Sequence, residues 1–249
     1  MAKIKERADQ LVFQQGLTSS REQAKRLIMA GEIQFLESCG KTGMPLKPGQ
    51  MFPVETQFVL KQSECYVSRG AYKLLTILEY EKLDVTDYVC LDAGASTGGF
   101  TDCLLQNGAR RVYAIDVGHN QLHEKLRGDS RVISHEGVNL RNPPHDLVPE
   151  PIDLITCDVS FISLTLIIPP CLQWLRPDGK LICLIKPQFE LGPKETVKGV
   201  VRSEAAQKRA VEKIVSFATN YHLHLRSLLP SQIKGPKGNQ EYLALFEFL

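Results

Sequence analysis

One segment of the sequence, residues 89–100, restricts the possible folds more than any other. An apolar stretch, Val89–Leu91, ends in Asp92, and a glycine-rich turn, Gly94–Gly99, then leads into a helix-like pattern. Glycine lets a ligand approach the backbone where side chains would block it. A second apolar stretch ends in Asp116, about 20 residues after the glycines. This layout predicts a nucleotide-type cofactor site in an α/β domain.

The residues around the glycines narrow the choice of ligand. A dinucleotide-binding turn reads G-x-G-x-x-G, which this turn matches only loosely, and no Lys-Ser or Lys-Thr pair of a phosphate-binding loop follows it. An acid before the first glycine suits a cofactor that carries an amine or a cation. The D-x-G-x-x-x-G pattern resembles the S-adenosylmethionine motif of Rossmann-like methyltransferases, which implies that Asp116 binds the ribose hydroxyls. The alternative is a turn that packs a helix on a strand and binds nothing. The predicted cofactor contacts are Asp92, Gly94, Ser96, Thr97, Gly98, Gly99, Phe100 and Asp116.

Strand-like and helix-like patterns alternate from residue 70 onward. This alternation predicts a mostly parallel sheet with helices on both faces, whose ligands bind beyond the carboxyl ends of the strands. Two long loops, 135–151 and 187–202, are expected to serve function; the second carries Lys194, Lys198 and Arg202. The predicted strands are 88–92, 111–116, 131–134, 152–157, 180–186, 222–229 and 241–248, and the predicted helices are 70–82, 98–107, 120–127, 163–175 and 203–219.

Residues 1–61 are predicted to form a separate α+β unit, followed by a polar linker over 62–70. Residues 3–37 look mainly helical, with a break at Gly16. Thr18–Ser20 with Glu22 predicts a capped helix start, and Gly31 predicts the helix end. The unit carries a net charge of +3, against +2 for the whole chain, which is only a slight basic bias. Short strands are expected at 33–35, 51–54 and 58–60, with turns at 40–43 and 48–49.

The first unit also carries a recognisable pattern. Arg7, Gly16-Leu17, Ser20-Arg21, Leu27–Gly31 and Pro48-Gly49 together resemble the small RNA-binding domain named after protein four of the small ribosomal subunit. On charge alone, an ordinary solvated helix would explain the cations equally well. The resemblance implies instead that folded RNA is bound by Lys5, Arg7, Arg21, Lys25 and Arg26, of which Arg21 and Lys25 share a helix face.

Four ionisable residues are predicted to meet at the ends of strands. Asp158 and Lys186 each come at the end of an apolar strand. Glu241 begins the last strand, which is expected to be antiparallel, so its amino end lies at the same edge of the sheet. Lys73 lies in the helix before the first strand of the sheet. Each residue alone could be a helix cap, a turn residue or a surface charge.

The segments around these four residues resemble the TlyA or hemolysin A family, whose catalytic domain is similar to FtsJ-type ribose 2′-O-methyltransferases. The resemblance covers nearly the whole chain and is carried by Ser68–Leu74, Asp92–Asp102, Asp158–Phe161, Lys186–Glu190 and Gly238–Tyr242. It implies a Rossmann-like, S-adenosylmethionine-dependent methyltransferase domain over 71–249 behind a small α+β RNA-binding domain.

The same resemblance implies that Lys73, Asp158, Lys186 and Glu241 form the catalytic tetrad. It also places the segment around Asn139 near the adenine of the cofactor. A ribose hydroxyl is a poor nucleophile, and a lysine is normally protonated at neutral pH. Burial and Lys73 would favour a neutral Lys186, whereas Asp158 and Glu241 would oppose it. We expect Lys186 to deprotonate the 2′-hydroxyl, Asp158 to align Lys186, and the other two to position the ribose, without a metal ion.

Three function classes follow from the resemblance. The first is methylation of a cytidine ribose in rRNA, with ribosomal subunits as partners. The second is an RNA-binding factor in ribosome assembly that keeps the cofactor. The third is a membrane-active hemolysin, against which the sequence shows no signal-peptide core, no apolar run approaching the ~20 residues of a membrane span and no repeated amphipathic hairpin. Asn142–His145 resembles a base-amino methylation motif only superficially and follows the wrong strand.

The cysteine pattern bears on the compartment. Seven cysteines show no C-x-x-C pairing, and several lie inside apolar stretches. They predict buried reduced thiols in a cytoplasmic protein, not a disulfide or zinc framework.

Overall fold

The computed structural model describes residues 4–36, 42–45, 47–61, 65–192 and 195–248. The chain divides into two compact units, Met1–Cys65 and Tyr66–Leu249. The boundary between them falls within the segment 62–70 that the sequence predicts as a linker. Among the described residues, no helix is both long enough and apolar enough to cross a membrane.

The described residues of the first unit form two helices and five short strands. β1 pairs with β4, and β2 pairs with both β3 and β5, always antiparallel. The helices close over an apolar core that includes Leu11, Ile28 and Phe52. In chain order the elements are β1 (Lys5–Arg7), α1 (Ala8–Gln14), α2 (Arg21–Met29), β2 (Ile33–Leu36), β3 (Thr42–Gly43), β4 (Met51–Pro53) and β5 (Phe58–Leu60).

Three details of this unit correct the sequence prediction. Residues 5–7 are extended, not helical, because they pair with β4. Thr42 and Gly43 form β3 where a turn was expected; Gly40 and Lys41 lie outside the described residues. At the start of α2, the residue that exchanges capping hydrogen bonds with Ser19 and Ser20 is Gln23, not the expected Glu22. The Ser20 hydroxyl accepts from Gln23 N at 3.2 Å, and the Gln23 side chain accepts from Ser19 N at 2.8 Å.

The second unit is built on a seven-stranded sheet in the order β11-β12-β10-β9-β6-β7-β8. Only β12 runs against the others, being antiparallel to both of its neighbours. The elements are α3 (Ala71–Glu81), β6 (Val89–Ala93), α4 (Gly99–Gln106), β7 (Arg111–Ile115), α5 (Glu124–Arg127), β8 (Val132–His135), β9 (Ile152–Cys157), α6 (Ile168–Leu172), β10 (Leu175–Ile185), α7 (Pro187–Glu190), α8 (Glu204–Thr219), β11 (Leu223–Pro230) and β12 (Tyr242–Phe248).

Helices cover both faces of this sheet, as the alternating pattern predicts. Residues of α3, α4 and α5 pack into the apolar cluster on one face, and residues of α6 and α8 pack into the cluster on the other. The carboxyl ends of the parallel strands and the amino end of β12 therefore share one edge. Ligands bind at this edge in sheets of this kind.

Local departures from the predicted elements have simple causes. The helix predicted over 163–175 is a short 3-10 turn followed by α6, because Pro169 and Pro170 lack the N–H groups that a continuous helix needs. α5 begins only at Glu124. The predicted loop 187–202 opens with the one-turn helix α7, and Lys194 in that loop lies outside the described residues.

The cysteines of the sheet domain are buried thiols, as predicted. Burial raises the pKa of each of them, so they stay protonated at neutral pH. Cys65 departs from the prediction because it is exposed, and Cys39 lies outside the described residues. The buried set is Cys90, Cys103, Cys157, Cys171 and Cys183.

Candidate active site

The glycine-rich turn follows β6 and is held by the fully buried Asp92. Its Oδ2 accepts hydrogen bonds from the Thr101 backbone N at 2.9 Å and hydroxyl at 2.7 Å, and its Oδ1 accepts from the Thr156 hydroxyl at 3.0 Å. Burial raises the pKa of Asp92 to about 6, although these hydrogen bonds pull it down. The carboxylate thus joins β6 to α4 and β9, and it also lines the cavity beside the turn.

The glycines of the turn are required by packing as much as by a ligand. Gly94 has φ +84°, and a Cβ there would lie 2.9 Å from the Asp158 carbonyl oxygen. Gly98 has φ +93°, and a Cβ there would collide with the Leu126 side chain. Both dihedrals are in the left-handed region that glycine adopts without strain. The sequence interpretation, which attributes the glycines to ligand approach, is therefore incomplete.

Asp116 lies beyond the end of β7 and faces the next cavity along the edge. Its Oδ2 accepts from Ser96 N at 2.8 Å, and its Oδ1 accepts from Gly118 N at 2.7 Å. A carboxylate oxygen has two lone pairs, so both can still accept from ligand hydroxyls. Asn139 lines the same cavity, and its Oδ1 accepts from Arg141 N at 3.1 Å.

Two adjoining cavities lie along the carboxyl edge of the sheet. The first, of about 200 Å³, runs from the glycine turn to Lys186, and the second, of about 840 Å³, extends toward Asp116 and Asn139. They share Asp158 and Ser160 in their walls. Every predicted cofactor contact lines one of them except Gly98, which packs inward. Sequence reasoning missed Ser68 and Gly70, which also line the first cavity.

The four predicted catalytic residues form two ion pairs. Lys186 Nζ lies 2.6 Å from Asp158 Oδ1, and Lys73 Nζ lies 2.6 Å from Glu241 Oε2. Glu241 is fully buried and Lys186 nearly so. The β10–β12 register pairs Ile185 with Tyr242, and one further step puts Lys186 opposite Glu241. The two pairs therefore lie on neighbouring strand ends, with α3 supplying Lys73.

The two pairs differ in their access to the cavities. Asp158 and Lys186 line the first cavity, whereas Lys73 and Glu241 line neither of the two. Glu241 Oε1 is buried with no hydrogen-bond partner among the described residues. A buried acceptor of this kind costs about 1–3 kcal/mol unless a donor reaches it.

Sequence reasoning missed a second contact of Lys186. Its Nζ donates to the Ser160 hydroxyl at 2.9 Å, so the amine is held from two sides. Phe161, the next residue, is 91% exposed with φ +64°. Its ring lies 5.1 Å from that of Phe189, which follows Lys186 in α7. In the sequence, the one signal for Ser160, Phe161 and Phe189 is that they lie in the segments Asp158–Phe161 and Lys186–Glu190, which carry the family resemblance.

Glu190 fastens the loop that carries these residues. It is a buried acid at the end of α7. Its Oε1 accepts from Leu164 N at 2.8 Å and its Oε2 from the Ser163 hydroxyl at 2.5 Å, while Lys213 donates to its backbone carbonyl at 2.7 Å. The loop after β9 and the segment after Lys186 are thereby joined to α8.

The cations predicted to bind RNA are partly engaged within the first unit. Asp9 is fully buried, and it receives Arg7 Nε and Arg21 Nε at 2.9 Å each. Burial pushes the pKa of Asp9 up, but the two arginines outweigh that effect and lower it. Lys25 pairs with Glu22 at 2.6 Å. Lys5 and Arg26 are exposed.

Comparisons with known proteins agree with this geometry. The FtsJ-like methyltransferase family matches residues 66–248. The 16S/23S rRNA (cytidine-2′-O)-methyltransferase TlyA of Mycobacterium tuberculosis is 38% identical over 95% of this chain and 87% of its own length. Hemolysin A of Brachyspira hyodysenteriae is 39% identical over 96% of this chain and 99% of its own length. Among solved structures, "Putative hemolysin from Streptococcus thermophilus" superposes with a TM-score of 0.73 at 43% identity, covering 99% of this chain and 90% of that one.

Proposed function

Because the chain belongs to the FtsJ-like methyltransferase family, we propose that it methylates the ribose 2′-hydroxyl of a cytidine in ribosomal RNA. The observation that carries the proposal is the first cavity, whose wall joins the glycine turn to the buried Lys186 and its partly exposed partner Asp158. A cofactor site and a proton-accepting group thus open into the same space.

The residues along the edge fit S-adenosylmethionine, which supplies an activated methyl group when it is bound. Gly94 offers bare backbone at the turn, and the acids Asp92 and Asp158 beside it suit a cationic ligand. Asp116 and Asn139 line the larger cavity, where they would hold the ribose and the adenine. The alternation of acidic and apolar walls matches a ligand with a charged end and a flat apolar end.

Lys186 is the proposed base. Its Nζ lies 2.6 Å from Asp158 Oδ1 and donates one N–H to the Ser160 hydroxyl, and Lys186 lines the first cavity, where the substrate oxygen would lie. With Asp158 aligning it, the Lys186 amine in its neutral form would accept the proton of the 2′-hydroxyl as the methyl group is transferred. Such a proton-transfer group is typically worth about 10²–10⁴-fold in rate.

Lys73 and Glu241 are proposed to position the ribose. Glu241 fixes the Lys73 amine from one side, and its second oxygen has no protein partner in the described part of the chain. Glu241 thus holds the Lys73 amine at the strand end beside the base, outside the walls of the first two cavities. Positioning of this kind can supply about 7–11 kcal/mol of the lowering of the barrier.

The first unit is proposed to bind the RNA that carries the target. Lys5 and Arg26 are exposed, and the half-exposed Arg7 and Arg21 keep further N–H donors beyond those given to Asp9. Because both arginines form ion pairs with the buried Asp9, their guanidinium groups are held in fixed orientations. Phe161, at the mouth of the cavities, offers a ring on which an RNA base can stack.

The direct test is methyl transfer to ribosomal subunits and rRNA from cells that lack this gene. We expect 2′-O-methylation of cytidine, lost in Lys186→Ala with cofactor binding kept, and unchanged in the control Lys180→Ala, which lies in the middle of β10 and lines neither of the two cavities. Cofactor binding without turnover on any subunit would favour the assembly factor. Lysis of cells by the pure protein that survives Asp92 and Gly94 substitutions would favour the hemolysin.

A further inference from the structure

A third cavity lies at the same sheet edge, on the other side of the tetrad from the cofactor turn. It has a volume of about 780 Å³ and is formed by the segment before α8, the start of α8 and the β11–β12 connection. Arg202, Lys208, Lys234 and Lys237 line it, and Glu204 is the acid that faces them. We call this cavity the basic groove.

The cations of the basic groove are not neutralised by the protein. Arg202, Lys234 and Lys237 are exposed, and none of them has an ion-pair partner among the residues that the structure describes. Lys208 has only Glu212, at 3.7 Å. Unpaired cations gathered in one concave surface attract a polyanion.

Hydrogen bonds beneath the surface hold the walls of the groove in place. Asn239 is buried; its Oδ1 accepts from Val201 N at 3.0 Å and its Nδ2 donates to the Gly199 carbonyl at 2.9 Å. The Tyr242 hydroxyl donates to Gln207 at 2.8 Å, which ties β12 to α8. The cations are therefore displayed on a fixed surface, and ordering a ligand there costs little reorganisation.

The position of the groove suggests what it binds. Along the edge, the cofactor turn lies at β6 and β7, the tetrad at β9, β10 and β12, and the groove at β12 and β11. Neighbouring strands are about 4.8 Å apart, so the groove extends from about 5 Å to about 10 Å from the end of β10, where Lys186 lies. A stacked strand places one phosphate about every 3.4 Å, so about three phosphates span the longer of these distances.

From this placement we infer that the basic groove binds the phosphodiester backbone of the acceptor RNA next to the target nucleotide. The inference rests on the proposed function, because it needs the target ribose to lie on the tetrad. The ribose would then present its 2′-oxygen toward β9 and β6, and its flanking phosphates would extend over β12 and β11. The groove would fix which way the RNA strand enters the site.

The test uses the full chain and lysine-to-glutamine variants. Lys237→Gln and the double variant with Lys234→Gln are compared with Lys82→Gln. Lys82 is a matched control because it is exposed, has a similar left-handed φ of +50° against +59°, and ends α3, whose other end lies at the active site. Each protein is assayed for RNA binding as a function of salt and for methylation kinetics at saturating cofactor.

We expect each lysine-to-glutamine substitution in the groove to reduce the magnitude of the slope of log affinity against log salt concentration by about 0.7. The double variant should raise KM for RNA about tenfold at physiological salt. kcat, cofactor affinity and the control remain unchanged. Salt slopes and KM equal to those of Lys82→Gln would overturn the inference. So would a defect seen on whole subunits but not on free rRNA, which would indicate a protein partner. Binding slopes are measurable without turnover, so failure of the proposed function shows separately, as unmethylated RNA.

Discussion

Asp92 presents a quantitative test of how the glycine turn is built. Replacing it with Asn keeps the shape of the side chain and removes its charge. The Asn oxygen can accept both bonds from Thr101. Its amide can donate to the Thr156 hydroxyl, which itself donates to the Leu91 carbonyl at 3.4 Å. The contacts with Thr101 and Thr156 are all kept, so Asp92→Asn should fold.

The expected magnitude follows from the pKa of this carboxyl. Burial raises it from 3.8 to about 6, and each unit corresponds to 1.36 kcal/mol. The folded state therefore binds a proton more tightly than the unfolded state, so stability falls as pH rises from about 4 to about 6 and stays low above that. At pH 7.5 the ionised Asp92 costs about 3 kcal/mol. Asp92→Asn should recover up to this amount, and the gain should vanish near pH 4.

The assay is urea unfolding between pH 4 and pH 8 without cofactor, followed by fluorescence. Trp174 is the one tryptophan of the chain and is buried in the sheet domain, so the signal reports that domain alone. The difference between wild type and Asp92→Asn should grow across the window from pH 4 to pH 6. A difference that is flat with pH, or a variant that is less stable at pH 7.5, would refute the reasoning. Cofactor affinity should fall in the same variant, because the site loses an anion.

Three further outcomes are expected. Ser160→Ala should lower kcat about 2–10-fold with unchanged stability, because Lys186 loses one hydrogen bond worth about 0.5–1.5 kcal/mol; unchanged kcat in stopped-flow methyl transfer would contradict this. Glu190→Ala should lower kcat by about tenfold or more by freeing the loop at Ser163, while Glu190→Gln should restore most of it, and equal losses in both would exclude a positioning role. Asp9→Asn should destabilise the first unit by roughly 1–3 kcal/mol, seen as faster hydrogen exchange in α1 and α2, and unchanged exchange would show that the ion pairs with the arginines are unimportant.

Much of the sheet domain could be predicted because its signals are local. A strand that ends in an acid or a lysine is visible from a few neighbouring residues, and parallel strands share an edge. Asp92, Asp158 and Lys186 could therefore be assigned to that edge without coordinates. The first unit was harder: residues 5–7 have no strand signal of their own and are extended only because β4 pairs with them.

The pairing within the site could not be predicted because it depends on contacts distant in sequence. Four charges of alternating sign allow several pairings. The structure pairs Lys73 with Glu241, because α3 contacts β12, and Lys186 with Asp158, because β10 lies beside β9. The strand order also separates the basic groove from the cofactor turn. Sequence spacing cannot supply that order, since β12 is last in the chain and sits inside the sheet.

Gly94 separates the two explanations of the turn, packing and ligand approach. If only ligand approach required glycine, Gly94→Ala would impair cofactor binding and leave stability nearly intact. The Cβ would instead meet the Asp158 backbone at 2.9 Å, which should add about 1–3 kcal/mol of overpacking to about 1–2 kcal/mol of left-handed strain. Gly238→Ala is the control, since it has φ +83° with nothing within 4 Å of the added Cβ. Unfolding followed by Trp174 fluorescence should show Gly94→Ala to be the more destabilising by about 1–3 kcal/mol. Equal losses would mean that the ends of β6 and β9 yield, and that packing against Asp158 does not require a glycine at this position.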